Sequence, residues 1–352
     1  MDMVQRLKEA LFRLFRLTGI SALVLASRWR RSRLLILCYH GVSLDDEHIW
    51  SPLYMAGELF ERRLECIRRA GCHVVGLDEG AKRLEDGSLP PGAVTLTFDD
   101  GFYDFYAVAW PILRKFNWPV TLYATTYYMV HSTPVFDPMC SYLLWKSAIP
   151  YFEWGKIGVN ETRLDSAGRT AIEHQIQQYC RQKKLSGQQK HELLQELAAR
   201  LEVDFEGLSK RRVLHLMTSE EAATLASAGL DIELHTHRHR VYRRWPSFEK
   251  DLHENRSIVE TITARKAQHF CYPGGYYLQE LWPQLATSGI RSAVTCQPGL
   301  ASKRSNPYLL PRVVDTSSLS ETAFFSWLVG VASWLPHRHV KLDDSQLAAE
   351  DA

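Results

Sequence analysis

Apolar runs rich in β-branched residues recur along the chain, each bounded by polar, proline or glycine positions. Residues 34–39 (LLILCY), 73–77 (HVVGL), 94–98 (VTLTF), 120–124 (VTLYA), 230–234 (LDIEL), 269–272 (HFCY), 292–296 (SAVTC) and 310–314 (LPRVV) read as strands. Helical spacing of apolar positions predicts helices over residues 57–70, 103–116, 219–228, 247–265 and 278–288. Thr218 and Glu221 form a capping box at the start of the third, and Gly229 supplies its C-terminal stop. Strands alternating with helices, and apolar almost throughout, imply a parallel sheet covered on both faces. Seven or eight such strands are enough to close a barrel; an open doubly wound sheet is the alternative. No G-x-G-x-x-G or P-loop pattern supports a nucleotide-binding version.

Three segments break this rhythm. Residues 127–217 hold aromatic loops and then two charged helical stretches, 169–183 and 186–202. They read as a helical insertion between two core strands, either overhanging a functional face or simply enlarging the molecule. Residues 4–16 (VQRLKEALFRLFR) form an amphipathic basic helix, followed by a short apolar stretch, 17–26, and then SRWRRSR. The stretch is shorter than the ~20 residues a membrane span needs. A packed helix, a membrane-surface helix and a signal core, with Val24 and Ala26 at a cleavage-like spacing, are the readings it allows. Residues 321–334 read as an apolar helix ahead of a polar tail. The resulting division is 1–33, 34–320 with the insertion, and 321–352.

Composition narrows the class. Of 352 residues, 45% are apolar and 23% charged, as in a soluble globular protein. With 42 Lys+Arg against 40 Asp+Glu, the formal charge of +2 gives no global case for nucleic acid. Seven cysteines, an odd number with no C-x-x-C pair, argue against a disulfide framework and for a reducing compartment. The expectation is a cytoplasmic protein, in contact with the inner face of a membrane if the basic helix lies there, with export left open.

Chemistry concentrates where strands end. Thr97-Phe98-Asp99-Asp100-Gly101 places two carboxylates at the end of a buried strand, facing a loop, a helix cap or a metal. His235-Thr236-His237-Arg238-His239 follows another strand, with His235 and His239 spaced to face one side and His237 pointing elsewhere. Tyr272-Pro273-Gly274-Gly275-Tyr276 follows a third; it is either an ordinary turn or a loop whose backbone N–H groups approach a ligand. In a parallel barrel the three strand ends share one face. One aspartate and two histidines there suit a divalent ion, and the second aspartate is then free as a general base.

These residues, in this order, resemble the polysaccharide deacetylase family, also known as the NodB homology domain or carbohydrate esterase family 4. The resemblance spans residues 34–314, interrupted by the insertion. It implies a distorted (β/α)7 barrel and metal-dependent hydrolysis of the N-acetyl group of an amino sugar in a polysaccharide or glycan precursor, with release of acetate. It implies Asp100, His235 and His239 as ligands of one divalent ion, zinc or alternatively cobalt or nickel. Asp99 matches the catalytic base, Arg312 the arginine that tunes it, and Gly274 the backbone donor to the oxyanion. Tyr272, Pro273 and Tyr276 are the substrate-facing residues of the loop. Where many members have Arg two residues before the Pro, this chain has Cys271. The general acid is His40, in Cys38-Tyr39-His40-Gly41, as in a subgroup with an N-terminal Tyr-His; the alternative is His337, in Leu335-Pro336-His337. Competing readings are a deacetylase or deformylase of a lipid-linked or nucleotide-linked sugar, and a non-catalytic sugar-binding module. The small basic cluster Arg238, Arg240, Arg243 and Arg244 suits phosphate on a carrier or a solvated face, and no nucleic-acid partner is expected.

Overall fold

The computed structural model describes residues 3–337, so the polar tail beyond them lies outside the described residues. Seven parallel strands form the core: β1 (Arg33–Tyr39), β2 (Ala93–Asp100), β3 (Val120–Ala124), β4 (Asp231–Leu234), β5 (His269–Cys271), β6 (Ser292–Val294) and β7 (Val313–Val314). Each pairs with the next from β1 to β6, and β7 pairs with β1. A single parallel bridge, Val294 to Leu310, joins β6 to the segment entering β7 and closes the curled sheet. The architecture is a distorted (β/α)7 barrel, as thin where β4 meets β5, at Phe270–Leu234 alone, as at that bridge. Residues Leu34–Tyr39 of β1 are at most 1% exposed, because barrel interior and helix layer bury both faces of the strand.

Several sequence expectations change in detail: the strand expected over 310–314 is Val313–Val314, and the helix expected over 278–288 is a 3-10 turn, Gln279–Leu281, followed by the helix Trp282–Thr287. Residues 73–77 contribute only the short strand His73–Val74, paired to the start of β2. The segment 103–116 is a helix interrupted near its start by a π-helical stretch, Phe105–Ala109, before Trp110–Arg114 continues as α. The capping box at Thr218 and Glu221 forms as expected.

The insertion carries more structure than its sequence announces. It holds the helices Phe136–Lys146, Ser166–Lys183 and Gly187–Arg200, and a hairpin, Tyr151–Trp154 with Val159–Arg163. Its two ends grip the C-terminal face of the barrel. The Tyr127 ring packs on His237, while the Met217 N–H bonds the Gly101 carbonyl at 3.0 Å. Its body reaches the loop after β1, where Lys146 and Tyr142 both bond Asp46. The insertion therefore overhangs the mouth of the barrel.

The helix Met3–Leu17 packs against the helix Glu321–Val329. Phe12 is buried, Arg16 lies over the Phe325 ring at 4.8 Å, and Ser320 bonds the buried Glu9. In the latter helix Phe324 and Leu328 are fully buried, so it is a packed element.

Candidate active site

The two aspartates of β2 sit at its last two positions, paired with Tyr123 and Ala124 of β3. Successive strand residues point to opposite faces. Asp100 breaks this alternation, because its φ is 71° and Gly101 follows at 92°. Aspartate tolerates the left-handed region better than most residues, and Thr125 steadies it by bonding the Asp100 carbonyl through both N–H (3.0 Å) and hydroxyl (3.1 Å).

Asp99 is 2% exposed and bound end-on by Arg312, with Nη1 to Oδ1 and Nη2 to Oδ2 both at 2.7 Å. Arg312 is itself fully buried and held by the Thr295 carbonyl (3.0 Å) and Thr97 Oγ1 (3.2 Å). Burial opposes ionisation of Asp99, but the guanidinium overcomes it and holds the carboxyl far below the usual range. Two thiols complete the surround, Cys38 and Cys271, each 3.4 Å from Oδ2. The position where an arginine was absent from the loop motif is thus filled by a thiol, which itself lies 3.1 Å from Arg312 Nη2.

Asp100 faces the histidine pair. Its Oδ1 is 3.5 Å from His235 Nε2 and 3.3 Å from His239 Nε2, and the two rings are 4.9 Å apart. An ion ~2.0–2.2 Å from each donor at tetrahedral angles sets donors about 3.3–3.6 Å apart, so these three residues fit one divalent cation. His235 Nδ1 bonds the Cys271 carbonyl at 2.8 Å, which directs Nε2 to the ion position. Burial raises and the histidines lower the Asp100 pKa, leaving it at about 2. His239, with a side chain 47% exposed, forms the open side of the site. The i, i+4 spacing works through left-handed backbone at Thr236 (φ 64°) and His239 (φ 52°) rather than a helical turn.

His237 turns away as expected, bonding Thr126 Oγ1 through Nδ1 at 2.8 Å. His40 joins the site: its Nε2 lies 4.0 Å from Asp99 Oδ2. His337 does not. Its Nε2 bonds the Ala332 carbonyl at 2.8 Å and its ring stacks on Trp327, within the helical layer beside Met3–Leu17. The Pro-Gly-Gly loop follows β5 at the same end, with left-handed backbone at Gly274 (φ 60°) and Gly275 (φ 76°). Tyr272 and Pro273 are buried, and the Tyr272 ring packs against Phe270 at 5.1 Å, so they shape the loop; Tyr276 is part-exposed.

Two positioning residues went unread in the sequence. Asn255 accepts the His235 N–H at 3.0 Å and donates to the Ala124 carbonyl (2.9 Å) and Thr126 Oγ1 (3.1 Å). Asp251 accepts the His237 N–H at 2.7 Å and bonds Tyr242 and Arg238. Both are buried on one face of the helix Trp245–Thr263, beside Phe248, Leu252 and Val259. A polar pair four residues apart on an apolar helix face was the available signal. Arg238 of the basic cluster is thereby held by Asp251 and Glu254.

The family model described as polysaccharide deacetylase matches residues 170–293, which include His235, His239 and the Pro-Gly-Gly loop; the aspartates of β2 and Arg312 join them through the fold. Among curated proteins, YxkH of Bacillus subtilis (strain 168), named for the same family, is 20% identical over 300 residues, covering 84% of this chain and 76% of that protein. The Streptococcus pyogenes deacetylase PplD in complex with acetate superposes with a TM-score of 0.55 at 17% identity, over 86% of this chain and 99% of its own. IcaB from Ammonifex degensii gives 0.52 at 18% identity, over 84% and 97%.

Proposed function

We propose, from the match of residues 170–293 to the polysaccharide deacetylase family, whose members are hydrolases that cleave an amide bond, that this chain removes the N-acetyl group of an amino sugar in a glycan, with one divalent ion as cofactor. The observation that carries this reading is the pairing of two differently tuned carboxylates at one barrel mouth: Asp99 locked to Arg312, and Asp100 facing His235 and His239.

Asp100, His235 and His239 would hold the ion, which when bound supplies Lewis-acid polarisation of the acyl carbonyl and acidifies water. Asp99, kept ionised by Arg312, takes a proton from the attacking water as its oxygen bonds the acyl carbon. The Gly274 N–H offers a donor for the charge that builds on the carbonyl oxygen. His40, across 4.0 Å from Asp99, gives a proton to the nitrogen as the carbon–nitrogen bond breaks, since an amine anion is a poor leaving group. The products are acetate and a free amino sugar. That PplD is described as a deacetylase in complex with acetate supports the acyl group chosen here.

The test is release of acetate, with formate measured in parallel, from N-acylated glucosamine oligomers. Asp99→Asn is expected to retain its metal and lose about 10²–10⁴-fold in kcat. Normal turnover in that variant would remove Asp99 from the role of base.

A further inference from the structure

The helix Met3–Leu17 buries Phe12 and Glu9 but turns Leu7, Leu14 and Leu17 outward. Spacings of seven and three place these leucines in one stripe, flanked by the exposed Arg6 and Arg13. The next helix, Ile20–Ala26, adds the exposed Leu23. Trp334, half-exposed, joins the same region through its ring contacts with Phe15 (6.5 Å) and Trp29 (5.5 Å). Five of the nine large apolar side chains exposed among the described residues therefore lie on this N-terminal helical unit or on the segment packed against it, at 52% to 86% exposure. Scattered exposed leucines need no explanation, but a contiguous apolar patch ringed by charge marks an interaction surface.

The charge says what kind. Residues 6–33 carry eight arginines and lysines and one glutamate, in a chain whose formal charge is +2, and seven of the eight, all but Arg30, are exposed or half-buried. Among the described residues no helix is long and apolar enough to cross a membrane. A second copy of this chain would set two strongly basic patches against each other, which like-charge repulsion disfavours. We propose that this face docks on the surface of an anionic lipid bilayer, the leucines and Trp334 entering the headgroup boundary and the arginines meeting lipid phosphates and carboxylates.

The fold fixes the orientation that follows. Arg30, fully buried, donates to the carbonyls of Arg33 (2.8 Å), Ala93 (3.1 Å) and Leu328 (3.0 Å). Arg33 and Ala93 open β1 and β2, so the helical unit is fastened to the end of the barrel opposite the aspartates and histidines. Docked in this way, the enzyme keeps its mouth on the aqueous side.

The test is flotation of the full chain with phosphatidylcholine vesicles, with and without phosphatidylserine, at low and high salt. Binding is expected to the anionic vesicles, and to weaken with salt. Each leucine withdrawn from water is worth on the order of tenfold in partition, and each adjoining cation about fivefold. The surface variant Leu7→Gln/Leu14→Gln/Leu17→Gln, with an unchanged circular dichroism spectrum, is expected to lose at least about tenfold. No binding to anionic vesicles, or equal binding by wild type and variant, would overturn the proposal. A wild-type dimer in sedimentation that the variant dissociates would overturn it in favour of a second copy.

Discussion

Asp99 and Asp100 are neighbours in sequence with separate environments, and the difference is made by one side chain. Arg312 offers its planar fork to both oxygens of Asp99, a match that a lysine ammonium cannot reproduce. Because the folded pKa of Asp99 is depressed, its ionised form persists as pH falls well below the ordinary carboxylate range. Replacing Arg312 by Met removes that cation and leaves burial opposed only by the neighbouring His235 and His40. Arg312→Met is therefore expected to move the acid limb of the kcat profile upward by about 1–3 pH units, provided metal content is unchanged. An unshifted limb would mean that Arg312 does not set the charge of the base. The residue types of this site were legible because strand ends gather unlike motifs on one face. The thiols around Asp99 were not: Cys38 and Cys271 read as core residues, and only the closed sheet brings both to the same carboxylate oxygen.

At the scale of elements, the histidine loop has no regular structure of its own and depends on the helix Trp245–Thr263. Asn255 joins the His235 backbone to β3 through the Ala124 carbonyl, tying the two strand ends together. Asn255→Ala is expected to weaken metal binding about 10–100-fold, as loss of such outer supports does. A chelator titration followed by residual activity measures it, and unchanged affinity would make Asn255 merely structural. The core strands were readable because burial on both faces makes them apolar throughout. The insertion was only partly so. Its helix Phe136–Lys146 buries Phe136, Met139, Cys140, Tyr142, Leu143 and Leu144, and a helix apolar nearly all round gives no clean period. Its hairpin alternates exposed with buried residues along Tyr151–Trp154 only, and a strand as polar as Val159–Arg163 carries little strand signal.

At the scale of the molecule, the barrel has two dressed ends. The insertion covers the mouth, and the basic helices close the other end through Arg30. Burial lowers the Arg30 pKa to about 10, so it remains charged. Arg30→Met would remove a charged donor from three carbonyls, two of them in buried bonds, at an expected cost on the order of 3 kcal/mol, read from urea denaturation. A loss under about 1 kcal/mol would show that the helical unit is not fastened there. From sequence alone, 4–16 could equally pack or lie on a membrane, since an amphipathic pattern records an apolar face and not its partner. The structure divides that face: Phe12 goes inward and the leucines go outward.

The central claim is that Asp100, His235 and His239 form one divalent metal site serving Asp99. Metal per chain, measured by elemental analysis in purified wild type and in His239→Ala after identical loading with zinc or cobalt, tests it most directly. The account predicts about one equivalent in wild type, one site of three protein donors, and its loss in the variant. Wild type that takes up no metal, or a variant that keeps it, would contradict the account.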